Sequence, residues 1–200
     1  MTLLLALIAA LASAQTVTLT PTGPATVRAG QALTVTISSS GATANGPSGV
    51  QWTAAPPAGM TITAVAPGAA ATAASKSIAC NATNTLCISY GINQNVIANG
   101  AVAALTVQVP GTATGPASIA LSGLVAGDKN GGAMPTAAGA PYAFIVLARS
   151  DLNGDGKTDS ADVLLMAQQA TGASCTDDQN GDGACNVLDV LIVSLRALGL

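Results

Sequence analysis

The chain is 200 residues long, enough for one or two domains, with six basic and nine acidic side chains, no His and a net charge of −3. Every acid is an Asp. The lack of His excludes a Ser-His-Asp triad, a Cys-His pair and imidazole metal ligands, and so few cations leave no basic footprint for nucleic acid. Half of the residues are apolar, mostly Ala and Val interspersed with Gly, Thr and Ser, which suits a sandwich of short strands better than a leucine-rich helical core.

Met1 to Ala14 reads MTLLLALIAALASA. The apolar run from Leu3 to Ala12 is too short to cross a ~30 Å hydrocarbon core as a helix, and it ends in the A-x-A pattern Ala12-Ser13-Ala14. Residues 1–14 are therefore predicted to be a signal peptide whose n-region carries only the α-amino charge; the alternative is a buried strand or short helix. The product is expected to be secreted, extracellular or associated with the cell surface, and no other stretch is long and apolar enough to span a membrane.

From Gln15 the pattern alternates on period two. Thr16 to Thr20 and Leu33 to Ile37 place apolar or β-branched residues on one face and Thr on the other. Further strands are predicted at Val50 to Thr53, Met60 to Val65, Cys87 to Tyr90, Val102 to Val109, Ala117 to Leu121 and Tyr142 to Leu147. Gly- and Pro-rich turns separate them, such as Asn45-Gly46-Pro47 and Pro56-Pro57-Ala58-Gly59. About eight strands in residues 15–148, with no helical periodicity, predict a two-sheet antiparallel sandwich. Trp52 is expected in its core rather than as a sugar-stacking platform. Tyr90 is expected in the core or at a corner, with a surface contact as the alternative. Cys80 and Cys87 are spaced for a disulfide closing a hairpin-like loop, or for an exposed redox pair.

The segments VTLTPTGPATVRAGQALTVTIS, GVQWTAAPPAGMTITAV, YGINQNVIANGAVAALTVQV and GPASIALSGLVA resemble the cohesin family over about residues 16 to 147. That resemblance implies a mainly β, jelly-roll or Ig-like sandwich related in architecture to carbohydrate-binding modules. The chain lacks a Leu-x-Tyr-Asp-Pro-like segment after Trp52, a departure from the family.

Charge is concentrated at the end. Residues 1–150 hold one acid, Asp128, and residues 151–200 hold the other eight, which places a domain boundary near Ser150 and a second domain at 149–200. There the stretch Asp151 to Asp162 repeats, without a gap, as Asp178 to Asp189, at a spacing of 27. A calcium ion takes six to eight oxygens at about 2.3–2.6 Å, so a short loop must curl and offer alternate side chains. Positions 1, 3 and 5 supply Asp151, Asn153 and Asp155 in one loop and Asp178, Asn180 and Asp182 in the other. Position 7 offers the carbonyls of Lys157 and Ala184, position 9 gives Asp159 and Asn186, and position 12 gives Asp162 and Asp189. Gly156 and Gly183 stand at position 6, where a Cβ would obstruct the turn. Helices are predicted from Val163 to Ala170 and from Val190 to Leu198, stopped by Gly172 and Gly199. Cys175 and Cys185 bracket the start of the second loop and form either a bridge or two buried thiols.

The doubled D-x-N-G-D-G followed by Asp resembles the dockerin family, type I-like, across nearly all of residues 151 to 200. The resemblance implies a small α domain of two calcium loop–helix units, two bound Ca²⁺ ions and a cohesin-like protein partner, with a link to extracellular polysaccharide degradation. Its contact positions 10 and 11 carry Ser160 and Ala161 in the first repeat and Val187 and Leu188 in the second; the last two either meet a partner or pack internally. A second copy of this chain is one candidate partner. The alternative function is a carbohydrate-binding accessory protein that holds polysaccharide on the sandwich. Catalysis is not expected: glycoside hydrolysis needs two carboxyl groups at a set separation, and the sandwich has only Asp128.

Overall fold

The computed structural model describes residues 15–42, 45–172 and 174–200; the predicted signal peptide lies outside the described residues. In chain order the strands are β1 (Val17–Thr22), β2 (Thr26–Arg28), β3 (Ala32–Ser40), β4 (Gly49–Ala55), β5 (Thr61–Pro67), β6 (Ser77–Cys80), β7 (Leu86–Tyr90), β8 (Gly100–Gln108), β9 (Gly115–Gly127), β10 (Ala133–Met134), β11 (Thr136–Ala138) and β12 (Tyr142–Leu147). The helices are α1 (Ala69–Ala73), α2 (Ser160–Thr171) and α3 (Val187–Ala197).

Two sheets form the sandwich, one in the order β11-β1-β3-β8-β5, the other in the order β2-β12-β9-β4-β7-β6 with β10 added beside β9. Period-two alternation makes each strand two-faced. On β3 the side chains of Leu33, Val35 and Ile37 turn inward; Val50, Trp52 and Ala54 do so on β4, and Leu105 and Val107 on β8. Trp52 is fully buried, as expected. Tyr142 and Phe144 stack with ring centroids 5.1 Å apart, and both are buried.

Three features depart from the sequence expectation. The sheets are not purely antiparallel: β1 pairs parallel with β11, and β2 with β12. Both pairings join segments more than a hundred residues apart, a connection long enough to bring a strand back in the same direction. A helix also interrupts the β region, because the five residues of α1 make little more than one turn, too short to show a 3.6-residue period. Gly68 before it lies so close to β8 that a Cβ would sit 2.4 Å from the Ala101 carbonyl oxygen. Finally, Tyr90, the last residue of β7, is exposed, so it does not lie in the core and the surface placement holds.

β6 and β7 form a hairpin whose paired Cys80 and Cys87 are joined by a disulfide. The Asn81 Oδ1 closes the turn by accepting the Thr85 and Leu86 N–H groups at 2.9 and 3.2 Å.

Lys76, between α1 and β6, is buried and has no carboxylate partner among the described residues. Its Nζ donates to Ser48 Oγ at 2.9 Å, to the Asn93 carbonyl at 3.0 Å and to Asn93 Oδ1 at 2.8 Å. Burial pulls its pKa below the ordinary 10.5. Between that lowered value and 10.5 the folded chain binds fewer protons than the unfolded one, so this group makes stability rise with pH across the window. Tyr142, pushed above 10.0 by burial, opposes it at the upper end. Urea denaturation from neutral pH to 10.5 should show a pH slope in the wild type that Lys76→Met loses; equal slopes would refute the assignment.

Candidate metal centre

The loops at 151–162 and 178–189 fold alike because their Asp and Asn side chains turn back on their own backbone. At position 1, Asp151 Oδ1 and Oδ2 accept the N–H groups of Gly154 and Gly156, each at 2.8 Å. Asp178 does the same for Gly181 and Gly183 at 2.7 Å. At position 3, the Oδ1 atoms of Asn153 and Asn180 accept the N–H two residues on, and their Nδ2 groups donate to Asp155 and Asp182 at 3.0 and 2.8 Å. Asp155 and Asp182 in turn accept the N–H of Lys157 and Ala184, both at 2.9 Å. Asn186 adds a contact the first loop lacks, donating to Asp182 Oδ2 at 3.3 Å.

Position 12 ties each loop to its helix. Asp162 Oδ1 accepts the Leu152 and Asn153 N–H groups at 2.7 and 3.1 Å, while its Oδ2 accepts that of Asp159 at 2.8 Å. Asp189 repeats this with Gln179, Asn180 and Asn186 at 2.8, 3.1 and 2.9 Å. Asp159 and Asn186 at position 9 are helix N-caps, completing a capping box with position 12. The helices therefore start at position 10, three residues before Val163 and Val190. Gly199 ends α3 with φ +76°, whereas Gly172 after α2 is extended. Gly156 and Gly183 take φ of +90° and +89°, with no atom within 4 Å of a Cβ, so backbone conformation rather than space selects glycine there. Gly154 and Gly181 at position 4 share this conformation at +77° and +79°, so glycine is selected there as well.

The donors offered are all oxygen, which suits a hard cation. Asp151, Asp162 and Asp189 are fully buried, and among the described residues the only ion pair is Arg28 with Asp177. Asp155, Asp182, Asn153 and Asn180 are exposed, as are Lys157 and Ala184; Asp159, Asp178 and Asn186 are half-buried. Among the described residues no three carboxylate or cysteine side chains gather at one point as a ready metal cluster, since the acids within each loop turn to separate backbone N–H groups. The Asp182 carboxyl is held below the ordinary 3.8 by the Asn180 amide, the Ala184 N–H and Asn186.

Several residues that seat this unit have no place in the twelve-position template. Gln169 on α2 accepts the N–H groups of Thr176 and Asp177 at 3.0 Å and donates to Asp177 Oδ2 at 2.7 Å. Asp177 pairs with Arg28 of β2 at 2.5 Å, Arg149 donates to the Asp178 carbonyl, and Gln179 donates to the Arg149 carbonyl at 3.3 Å. The surviving sequence signal was Asp177 itself, an acid adjoining the second loop without a template position. Cys175 and Cys185 form a disulfide, tying position 8 of that loop to the segment leading into it. α2 and α3 pack together, burying Met166 and Val193, but Val187 and Leu188 are exposed and do not pack internally. Of the four aromatic side chains only Tyr90 is exposed.

No protein-family model matches the chain, and no curated protein matches it in sequence. Its fold is similar to that of the sixth cohesin of scaffoldin B from Acetivibrio cellulolyticus, solved in complex with a Cel5 dockerin. That match has a TM-score of 0.56 and 17% identity, over 66% of this chain and 99% of the other. A non-cellulosomal cohesin from the archaeon Archaeoglobus fulgidus matches with a TM-score of 0.55 and 14% identity, over 69% and 96%. A type I cohesin–dockerin complex from Clostridium thermocellum matches with a TM-score of 0.56 and 12% identity, over 67% and 96%. The sandwich has the cohesin fold. Among the described residues no helix is long and apolar enough to cross a membrane.

Proposed function

We propose that the chain is an exported, non-catalytic assembly protein. In this reading a cohesin-like sandwich carries a dockerin-like unit at 149–200 that binds two Ca²⁺ ions and docks on a cohesin-like protein domain. The observation that carries it is the set of fully buried carboxylates, Asp151, Asp162 and Asp189, at matching ends of two like-folded loops and without a cationic side chain among the described residues. A buried charge needs a counter-charge. Each loop would hold its ion through the side chains at positions 1, 3, 5, 9 and 12 and the carbonyl at position 7: Asp151, Asn153, Asp155, Asp159, Asp162 and Lys157, then Asp178, Asn180, Asp182, Asn186, Asp189 and Ala184. When bound, calcium supplies two positive charges against acids that otherwise repel one another, adding about 2.7 kcal/mol of stability at a hundredfold excess over Kd. Cohesin neighbours solved with dockerins support a protein–protein role; the link to extracellular polysaccharide breakdown rests on the dockerin resemblance of residues 151–200.

Isothermal titration should count two calcium ions per chain. The first loop, with four Asp against three, should bind more tightly. Asp155→Asn should remove the tighter event and Asp182→Asn the weaker one; both side chains are exposed, so neither change disturbs a core. A chain that takes up no calcium ends the proposal, and a tighter second loop ends the ranking.

A further inference from the structure

Asp177 has no place in the twelve-position template, yet both of its carboxylate oxygens are committed. Oδ1 pairs with Arg28 of β2 at 2.5 Å, and Oδ2 accepts the Gln169 side-chain amide of α2 at 2.7 Å. The Asp177 side chain is only 10% exposed. The next residue, Asp178, is position 1 of the second loop, so this carboxylate fixes the point at which that loop starts. Further bonds hold the same stretch. Arg149 donates to the Asp178 carbonyl, and the Gln179 amide donates to the Arg149 carbonyl at 3.3 Å. Gln179, itself buried, accepts from Arg196 of α3 at 3.1 Å.

The first loop is placed differently. It follows β12 directly, with the Asp151 N–H donating to the Ala148 carbonyl at 3.1 Å and Ser150 bonded to Thr158 at 2.9 Å. Among the described residues no hydrogen bond joins this loop to Arg28 or Asp177. Continuity of the chain locates it. The second loop starts 27 residues later and is located by side chains that reach across from the β2–β12 edge.

We infer that Arg28 and Asp177 are positioning residues for the second calcium site, so that filling this site and seating the C-terminal unit on the β2–β12 edge strengthen each other. The inference rests on the two-calcium reading above. Linkage makes the coupling reciprocal: whatever the Arg28–Asp177 pair adds to calcium affinity, calcium adds to the pair. Charge alone predicts the opposite sign, because a guanidinium beside a cation site repels the ion and its removal should tighten binding. The sign of the Arg28→Met effect therefore separates positioning from electrostatics.

Calcium titration of the full chain tests this on two backgrounds: Asp155→Asn leaves the second loop to take up calcium, and Asp182→Asn leaves the first. Adding Arg28→Met should weaken calcium binding roughly tenfold on the Asp155→Asn background, within the usual span of coupling between sites. On the Asp182→Asn background it should change nothing. Arg28→Lys keeps the charge and one donor, so it should recover part of the lost affinity. Arg28 is 30% exposed, and circular dichroism checks that each variant folds. Trp52, the one tryptophan, supplies the reciprocal readout, since its fluorescence follows urea unfolding of the sandwich. On the Asp155→Asn background millimolar calcium should raise that midpoint, and Arg28→Met should shrink the rise. Calcium binding left unchanged or tightened by Arg28→Met, or a Trp52 midpoint that shifts equally with and without Arg28, overturns the inference while the two-ion reading stands. If neither background takes up calcium, both fail.

Discussion

Replacing Asp162 by Ala is expected to unfold residues 151–200 while the sandwich stays folded. The carboxylate is fully buried and accepts three backbone N–H groups, those of Leu152, Asn153 and Asp159. Alanine leaves all three donors without their acceptor, at about 1–3 kcal/mol each. A unit of this size holds only about 2.5–7.5 kcal/mol in total. Asp189→Ala should act in the same way through Gln179, Asn180 and Asn186. Asp162→Asn is the informative control: its amide oxygen can keep the Leu152 and Asn153 N–H bonds while its NH2 group faces the Asp159 N–H and the charge is lost, so the unit should fold with reduced stability and weaker calcium uptake. Calorimetry with far-UV circular dichroism reads the result as loss of the helical signal and one missing transition. An Asp162→Ala melt that overlays the wild type would contradict the assignment.

The second large effect belongs to the sandwich. Trp52→Ala should destabilise it by about 3–5 kcal/mol, the usual range for removing a buried aromatic from a packed core. Trp52 is fully buried between the sheets, and among the described residues its Nε1–H has no hydrogen-bond partner. Trp52→Phe removes that orphaned donor together with part of the ring volume, so its loss should be less than half that of the alanine variant. Urea denaturation followed by circular dichroism compares the three chains. A phenylalanine variant as unstable as the alanine one would mean the indole nitrogen is satisfied in solution.

How legible these features were depends on the range of the interactions behind them. Strands such as β3 and β4 announced themselves because Leu33, Val35 and Ile37, or Val50, Trp52 and Ala54, alternate with polar neighbours. The alternation visible in the sequence ends at Leu121, although β9 continues to Gly127, because Gly123, at φ +58°, breaks the pattern and the pairing with β4 shifts register there. β2 and β11 have three residues each, too few for a pattern, and form only because a partner edge is present. Ser160 and Ala161 read as loop, yet the caps at Asp159 and Asp162 draw them into the first turn of α2.

The two loops were within reach of sequence alone because their inner framework is local: every hydrogen bond accepted by the Asp and Asn side chains of the template spans ten residues or fewer, so a twelve-residue window contains both donor and acceptor. The parallel strand pairs, the Arg28–Asp177 anchor across 149 residues, and the exposure of Tyr90 where a core place was expected were decided only in three dimensions. Each depends on which sheet edges and faces are brought together, and closing such long stretches of chain is governed by the packing of the whole core rather than by the residues beside the contact.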